Sequence, residues 1–146
     1  MSLQELLKGG GIVRQESSRQ EVTELLRVAA RSIADAGVGG LSSEGRFALA
    51  YDAVLQLATI PLRCRGFRTR GEGHHWAVFD ALPDLVDFDV AATADYFQTC
   101  RVKRSTAIYR MASVVADSEA SELCQAAESF DVQIRRWLKR EFPQYA

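Results

Sequence analysis

The stretch Arg101–Val102–Lys103–Arg104–Ser105–Thr106–Ala107–Ile108–Tyr109 gathers the side chains best suited to chemistry in this sequence. Arginine and lysine hold anions, and tyrosine donates or accepts a hydrogen bond at its hydroxyl. The apolar Phe97, Cys100, Ile108 and Met111 recur around them at helical spacing, and Arg104 falls in the middle of that apolar face. A guanidinium stays charged at any working pH, so a core or interface position demands a partner. Arg104 therefore reads as a paired structural ion, an arginine at a subunit interface or an anion site. Arg101, Ser105 and Tyr109 form a second row beside it, four residues apart. That row admits two readings. Either Ser105 and Tyr109 orient an anion held by the arginines, or Tyr109 packs its ring in a helix seam while Arg101 extends to water. A tyrosine with an ordinary pKa near ~10 is a poor base at neutrality, so the row reads as a binding site before a catalytic one.

A second basic group, Arg63, Arg65, Arg68 and Arg70, is followed by His74 and His75. It reads as a rim for phosphate or RNA, or as a solvated loop balanced by Asp80, Asp84, Asp87 and Asp89. Adjacent histidines on a helix point in different directions, and no acid or cysteine four residues on completes a ligand set, so no metal site is expected. One of the pair is expected to make a hydrogen bond at a helix start. His75 becomes a proton donor if the fold brings it to Arg104. Asp52 is the acid most readily paired with an arginine of such a cleft. Glu44 and Asp52 lack a partner at carboxylate-pair spacing, and Gly9–Gly10–Gly11 lacks the lysine and preceding strand of a phosphate-binding loop. Cys64, Cys100 and Cys124 are widely spaced and odd in number, which predicts reduced, buried thiols and neither a disulfide nor zinc.

The elements that must position these residues are helices. The 146 residues suit one domain, 1–146, with 47% hydrophobic and 25% charged residues. Net charge is -1, so any binding to nucleic acid must come from a local patch. The apolar runs are too short to span a membrane, and the N-terminus lacks a secretory pattern, so a cytoplasmic protein with no membrane partner is expected. A short helix is predicted over 3–8 as an appendage, with Ser2 and Glu5 as a capping box and the glycines ending it. The next starts at Ser18, and Gly37 is expected to end it in the left-handed conformation. A third starts near Ser43, with a kink or stop at Pro61. A short helix runs from about His74 to Leu82 and stops at Pro83. The helix of Arg104 spans about Ala91 to Ala112. The last begins after Asp117 or Ser118, and its stripe Ala120, Leu123, Ala127, Phe130, Ile134 and Trp137 is the clearest helix signal in the chain. No stretch shows the period of a strand. The expected fold is all-α, an up-and-down bundle of about five to six helices.

The order of these features resembles the HEPN domains, helical bundles associated with prokaryotic toxin–antitoxin and defence systems. The resemblance covers roughly residues 18–140. It rests on the helix containing Phe47–Ala48–Leu49–Ala50–Tyr51–Asp52–Ala53, the Gly66–Phe67–Arg68 turn, Gly73–His74–His75, and Arg101–Val102–Lys103–Arg104–Ser105 leading to Tyr109. It implies a symmetric homodimer with two sites meeting in a cleft, and metal-independent RNA cleavage by an arginine and a histidine four to six residues on. Arg104 and Ser105 match the arginine and its polar neighbour; Tyr109 stands where the histidine belongs. The expectation is a homodimer that binds RNA, a nucleotide or a cognate protein partner through a basic interfacial cleft. Arg104 and Tyr109 would be its central pair, and Arg101, Lys103, Ser105, Arg68 and His75 its binding residues. No cofactor is expected, and cleavage is expected to be weak or absent. The alternatives are an active metal-independent endoribonuclease toxin and a non-catalytic scaffold or antitoxin-like partner.

Overall fold

The computed structural model describes residues 2–71, 74–109 and 114–146, apart from the side chains of residues 106–109. Among the described residues six α-helices form the bundle: α1 (Leu3–Lys8), α2 (Arg19–Ala36), α3 (Ser43–Cys64), α4 (His75–Leu85), α5 (Ala91–Tyr109) and α6 (Asp117–Glu141). The fold is all-α, as the periodicity predicts. Each of the first three helices opens on a serine whose hydroxyl accepts from a backbone N–H three residues on: Ser2 from Glu5, Ser18 from Glu21 and Ser42 from Gly45. At α6 the Glu119 carboxylate accepts from the Ala116 N–H at 2.9 Å instead.

One element was not expected. Ile12–Arg14 (β1) and Phe67–Thr69 (β2) pair antiparallel, with Val13 opposite Arg68. Both strands have three residues, too few to display an alternation. Gly66 precedes β2 at φ 87°, a left-handed turn that only glycine adopts without strain.

Neither proline ends its helix. α3 continues past Pro61 to Cys64, and α4 continues past Pro83 to Leu85. In each case the residues beyond or beside the proline are buried: Ile60, Leu62 and Cys64 in α3, Leu82 and Leu85 in α4. Burial of that apolar surface outweighs one lost backbone hydrogen bond. Gly37 is right-handed, with φ -86°; the left-handed position falls later in the loop, at Gly40 with φ 89°.

α3 is the central helix, packed against α2, α4, α5 and α6. The core runs along it. Phe97 of α5 bridges Phe79 of α4 and Phe130 of α6, with ring centroids 5.6 and 5.1 Å apart. Phe130 and Trp137 are fully buried, as the α6 stripe predicts. α1 is tied to the bundle by Leu6 in the core and by the Leu3 N–H, which donates to Asp84 at 2.9 Å. All three cysteines are free thiols; Cys64 and Cys100 are buried and Cys124 half-buried.

Candidate functional site

Tyr51, on the central helix, is almost fully buried, and its hydroxyl lies 3.3 Å from Nδ1 of His75 in the first turn of α4. The Tyr51 ring also meets the edge of Phe79, at 6.0 Å between centroids, so packing fixes where its hydroxyl points. From α5, Arg101 and Arg104 both act electrostatically on that hydroxyl. Arg104 is half-buried on α5, one turn beyond the buried Cys100, and its charge reaches the Tyr51 hydroxyl.

A brace holds this arrangement. Gln98 donates from Nε2 to the Trp76 carbonyl at 2.8 Å, and its Oε1 accepts from Nε of Arg101 at 2.9 Å. One amide therefore joins the start of α4 to α5 and aims the Arg101 guanidinium. Behind His75, the Asp52 carboxylate accepts from the Ser32 hydroxyl at 3.1 Å and adds negative charge to the field at the imidazole.

The electrostatics follow from this placement. Burial raises the Tyr51 pKa well above the ordinary phenol value, against the pull of Arg101 and Arg104. The hydroxyl stays protonated and serves as a hydrogen-bonding group, not as a base. His75 is exposed on one side, yet partial burial and the Arg101 charge lower its pKa, and Asp52 opposes them. The cluster can hold an anion with two guanidiniums and can exchange one proton, at His75.

Not every expected residue joins it. Lys103 turns to α6 and pairs with Glu119 at 3.2 Å, so it serves the fold. Ser105 is exposed on α5. The Tyr109 side chain lies outside the described residues. Arg68 is exposed on β2 and donates to the Thr69 carbonyl beside it; no described contact joins it to the cluster. The expected basic rim is also divided. Arg63 is 5% exposed and donates to the carbonyls of Gln15, Glu16 and Phe67 and to the Glu21 carboxylate. It is neither a rim nor a solvated residue but the clamp of the segment before α2. Arg65 lies over the rings of Trp137 and Phe142 and donates to the Leu85 carbonyl. Two acids of the following run turn elsewhere: Asp84 takes the Leu3 N–H and Asp87 pairs with Arg140 at 2.6 Å. His74 precedes α4 without a side-chain capping bond, and its Nδ1 is buried with no partner among the described residues; the histidine that hydrogen-bonds at the helix start is His75, through the Tyr51 hydroxyl.

Sequence reasoning missed Tyr51 and Gln98. Tyr51 sits on an apolar stripe, where a tyrosine reads as core; the signal that it bears on a site is its alignment, through the fold alone, with His75. No group of three or more histidine, cysteine, aspartate or glutamate residues able to hold a metal occurs among the described residues. A groove between α2 and α3, lined by Ser18, Glu21, Glu24, Leu25 and Gln56 among others, carries carboxylates and no cation, which does not suit phosphate. No protein-family model, curated protein or solved structure matches the chain. Among the described residues no helix is long and apolar enough to cross a membrane.

Proposed function

We propose that this chain is a HEPN-like, homodimeric helical bundle that binds RNA or a nucleotide through the face shared by α3, α4 and α5. The observation that carries this reading is the Tyr51–His75 contact at 3.3 Å, with Arg101 braced beside it by Gln98 and the charge of Arg104 reaching Tyr51. Two guanidiniums acting on a phenol and an imidazole, against one carboxylate, leave an excess of positive charge that a phosphate satisfies. The same features occupy the positions from which the HEPN resemblance was drawn. In a toxin–antitoxin or defence setting such a face would serve binding more than cleavage. Tyr51 stays protonated, and Tyr109 stands in place of the motif histidine.

The test is fluorescence anisotropy with a short labelled single-stranded RNA. The double variant Arg101→Ala/Arg104→Ala should lose about tenfold or more in affinity, as expected for charge-assisted hydrogen bonds, with its melting temperature little changed. Unchanged affinity in that variant would refute the reading. Rapid metal-free cleavage by the native chain would replace binding with the endoribonuclease alternative.

A further inference from the structure

His75 differs from every other cation of the cluster because its charge is switchable. Its Nδ1 is held by the Tyr51 hydroxyl at 3.3 Å, and a hydroxyl both donates and accepts. The contact therefore serves both protonation states: Tyr51 donates to a neutral ring and accepts from an imidazolium. The ring can stay in place while its charge changes, and His75 is exposed to solvent.

The surrounding charges determine which ligand this suits. α3 contributes Asp52 and the neutral Tyr51, and α5 contributes Arg101 and, against Tyr51, Arg104. α1 and β2 also pack on α4; α1 meets it at Asp84, toward the end opposite His75. Among the described residues, Arg101 and Asp52 are the charged groups that act on His75. With a neutral imidazole, two guanidiniums and one carboxylate leave a single net positive charge. That balances a phosphodiester, which is a monoanion. A phosphomonoester is close to a dianion above its second pKa of about 6, and balancing it takes the imidazolium as well.

We infer that Tyr51, His75, Arg101 and Arg104 form a proton-linked receptor for a phosphomonoester, the terminal phosphate of an RNA chain or of a free nucleotide. The inference rests on the anion-binding reading above and adds the ligand class and the proton. A bound dianion neutralises the field of Arg101 and donates its own, so His75 takes up a proton as the ligand arrives. Gln98 is a positioning residue here, since it sets Arg101 relative to the start of α4.

Calorimetric titration at pH 7.5 in two buffers of different ionisation enthalpy tests this directly. The probes are one short RNA carrying either a 5′-phosphate or a 5′-hydroxyl, and adenosine 5′-monophosphate alone. The phosphorylated RNA should bind several-fold tighter than its hydroxyl twin and take up close to one proton. Its affinity should fall as pH rises from about 6.5 to 8.5, approaching tenfold per unit where the linkage is complete. His75→Asn keeps a hydrogen-bonding atom at the Nδ1 position and removes Nε2. It should abolish the proton uptake and the preference for the 5′-phosphate. Proton uptake with adenosine 5′-monophosphate at equal affinity identifies a free nucleotide as the source, and preference for the RNA identifies a chain end. Equal binding of the two RNAs without proton uptake would overturn the inference and leave the RNA-binding reading standing. Loss of binding to every probe in the native chain would overturn both.

Discussion

Arg63 shows how far one residue can be misread from its neighbours. Its place among four closely spaced arginines draws attention to charge, whereas its structural meaning lies in the apolar run Ile60–Pro61–Leu62 that leads to it. A helix buried on most sides at that point leaves an arginine nowhere to go but inward, and the backbone carbonyls of Gln15, Glu16 and Phe67 become its partners. Arg63→Ala should cost about 2–4 kcal/mol, because those carbonyls lose their donor and water replaces only some of the bonds. Arg68→Ala, at an exposed site, should stay within about 0.5 kcal/mol of the native chain. Chemical denaturation of the two variants checks both values. The pair also predicts a pH dependence. Arg63 lowers the folded-state pKa of Glu21 below its ordinary 4.5. The pair's stabilisation is therefore fully present above the unfolded value and is lost as pH falls through the lower folded value. Acid titration of Arg63→Ala should lack that part of the native chain's loss of stability below about pH 4.5. Arg104 is the converse case: the wheel alone showed an arginine facing apolar neighbours, but its opposite number, Tyr51, comes from a helix forty to sixty residues earlier and is visible only once folded.

At the scale of elements, long amphipathic helices were legible and short or context-dependent features were not. The unbroken stripe of α6 named Phe130 and Trp137 as core residues, and both are fully buried. The strands β1 and β2 were illegible because a three-residue strand offers no period, and its partner lies more than fifty residues away. The prolines misled for a related reason, since their local cost is fixed while the burial that overrides it is set by α3's position at the centre of the bundle. Phe130 is the element-scale keystone, because its ring closes the Phe79–Phe97–Phe130 series that links α4, α5 and α6. Phe130→Ala should cost about 3–5 kcal/mol, read as a fall in denaturation midpoint. By loosening α5 against α4 it should also broaden the His75 ring signals in a nuclear magnetic resonance spectrum. A midpoint unchanged from the native chain would refute the keystone role.

For the whole molecule, charge and symmetry make a joint prediction. A net charge of -1 supplies no general attraction to RNA, so any binding must come from a few cations acting at short range. α5 presents the proposed seam: Val102 is 55% exposed between Arg101 and Lys103, and Ser105, one turn on, is exposed as well. With Tyr109 they fall three and seven residues apart in sequence, the spacing of a helix–helix contact. A two-fold axis through this face, on the side of α5 away from the core, would bring the two Arg101 side chains toward one another, the usual closure for a homodimer. Sedimentation equilibrium at micromolar concentration should show a dimer, and Val102→Glu should shift it to monomer without unfolding it. The salt dependence of RNA binding then reports how many phosphates are held. For single strands the slope of log affinity against log salt is about -0.7 per neutralised phosphate. One phosphate held by one protomer would give a slope of about -0.7, and two held across the dimer seam one of about -1.4. The native chain should therefore show the steeper slope and Val102→Glu the shallower. Equal slopes in the two proteins would place the RNA outside the seam, and a slope much steeper than about -1.4 would move it to a more extended basic surface.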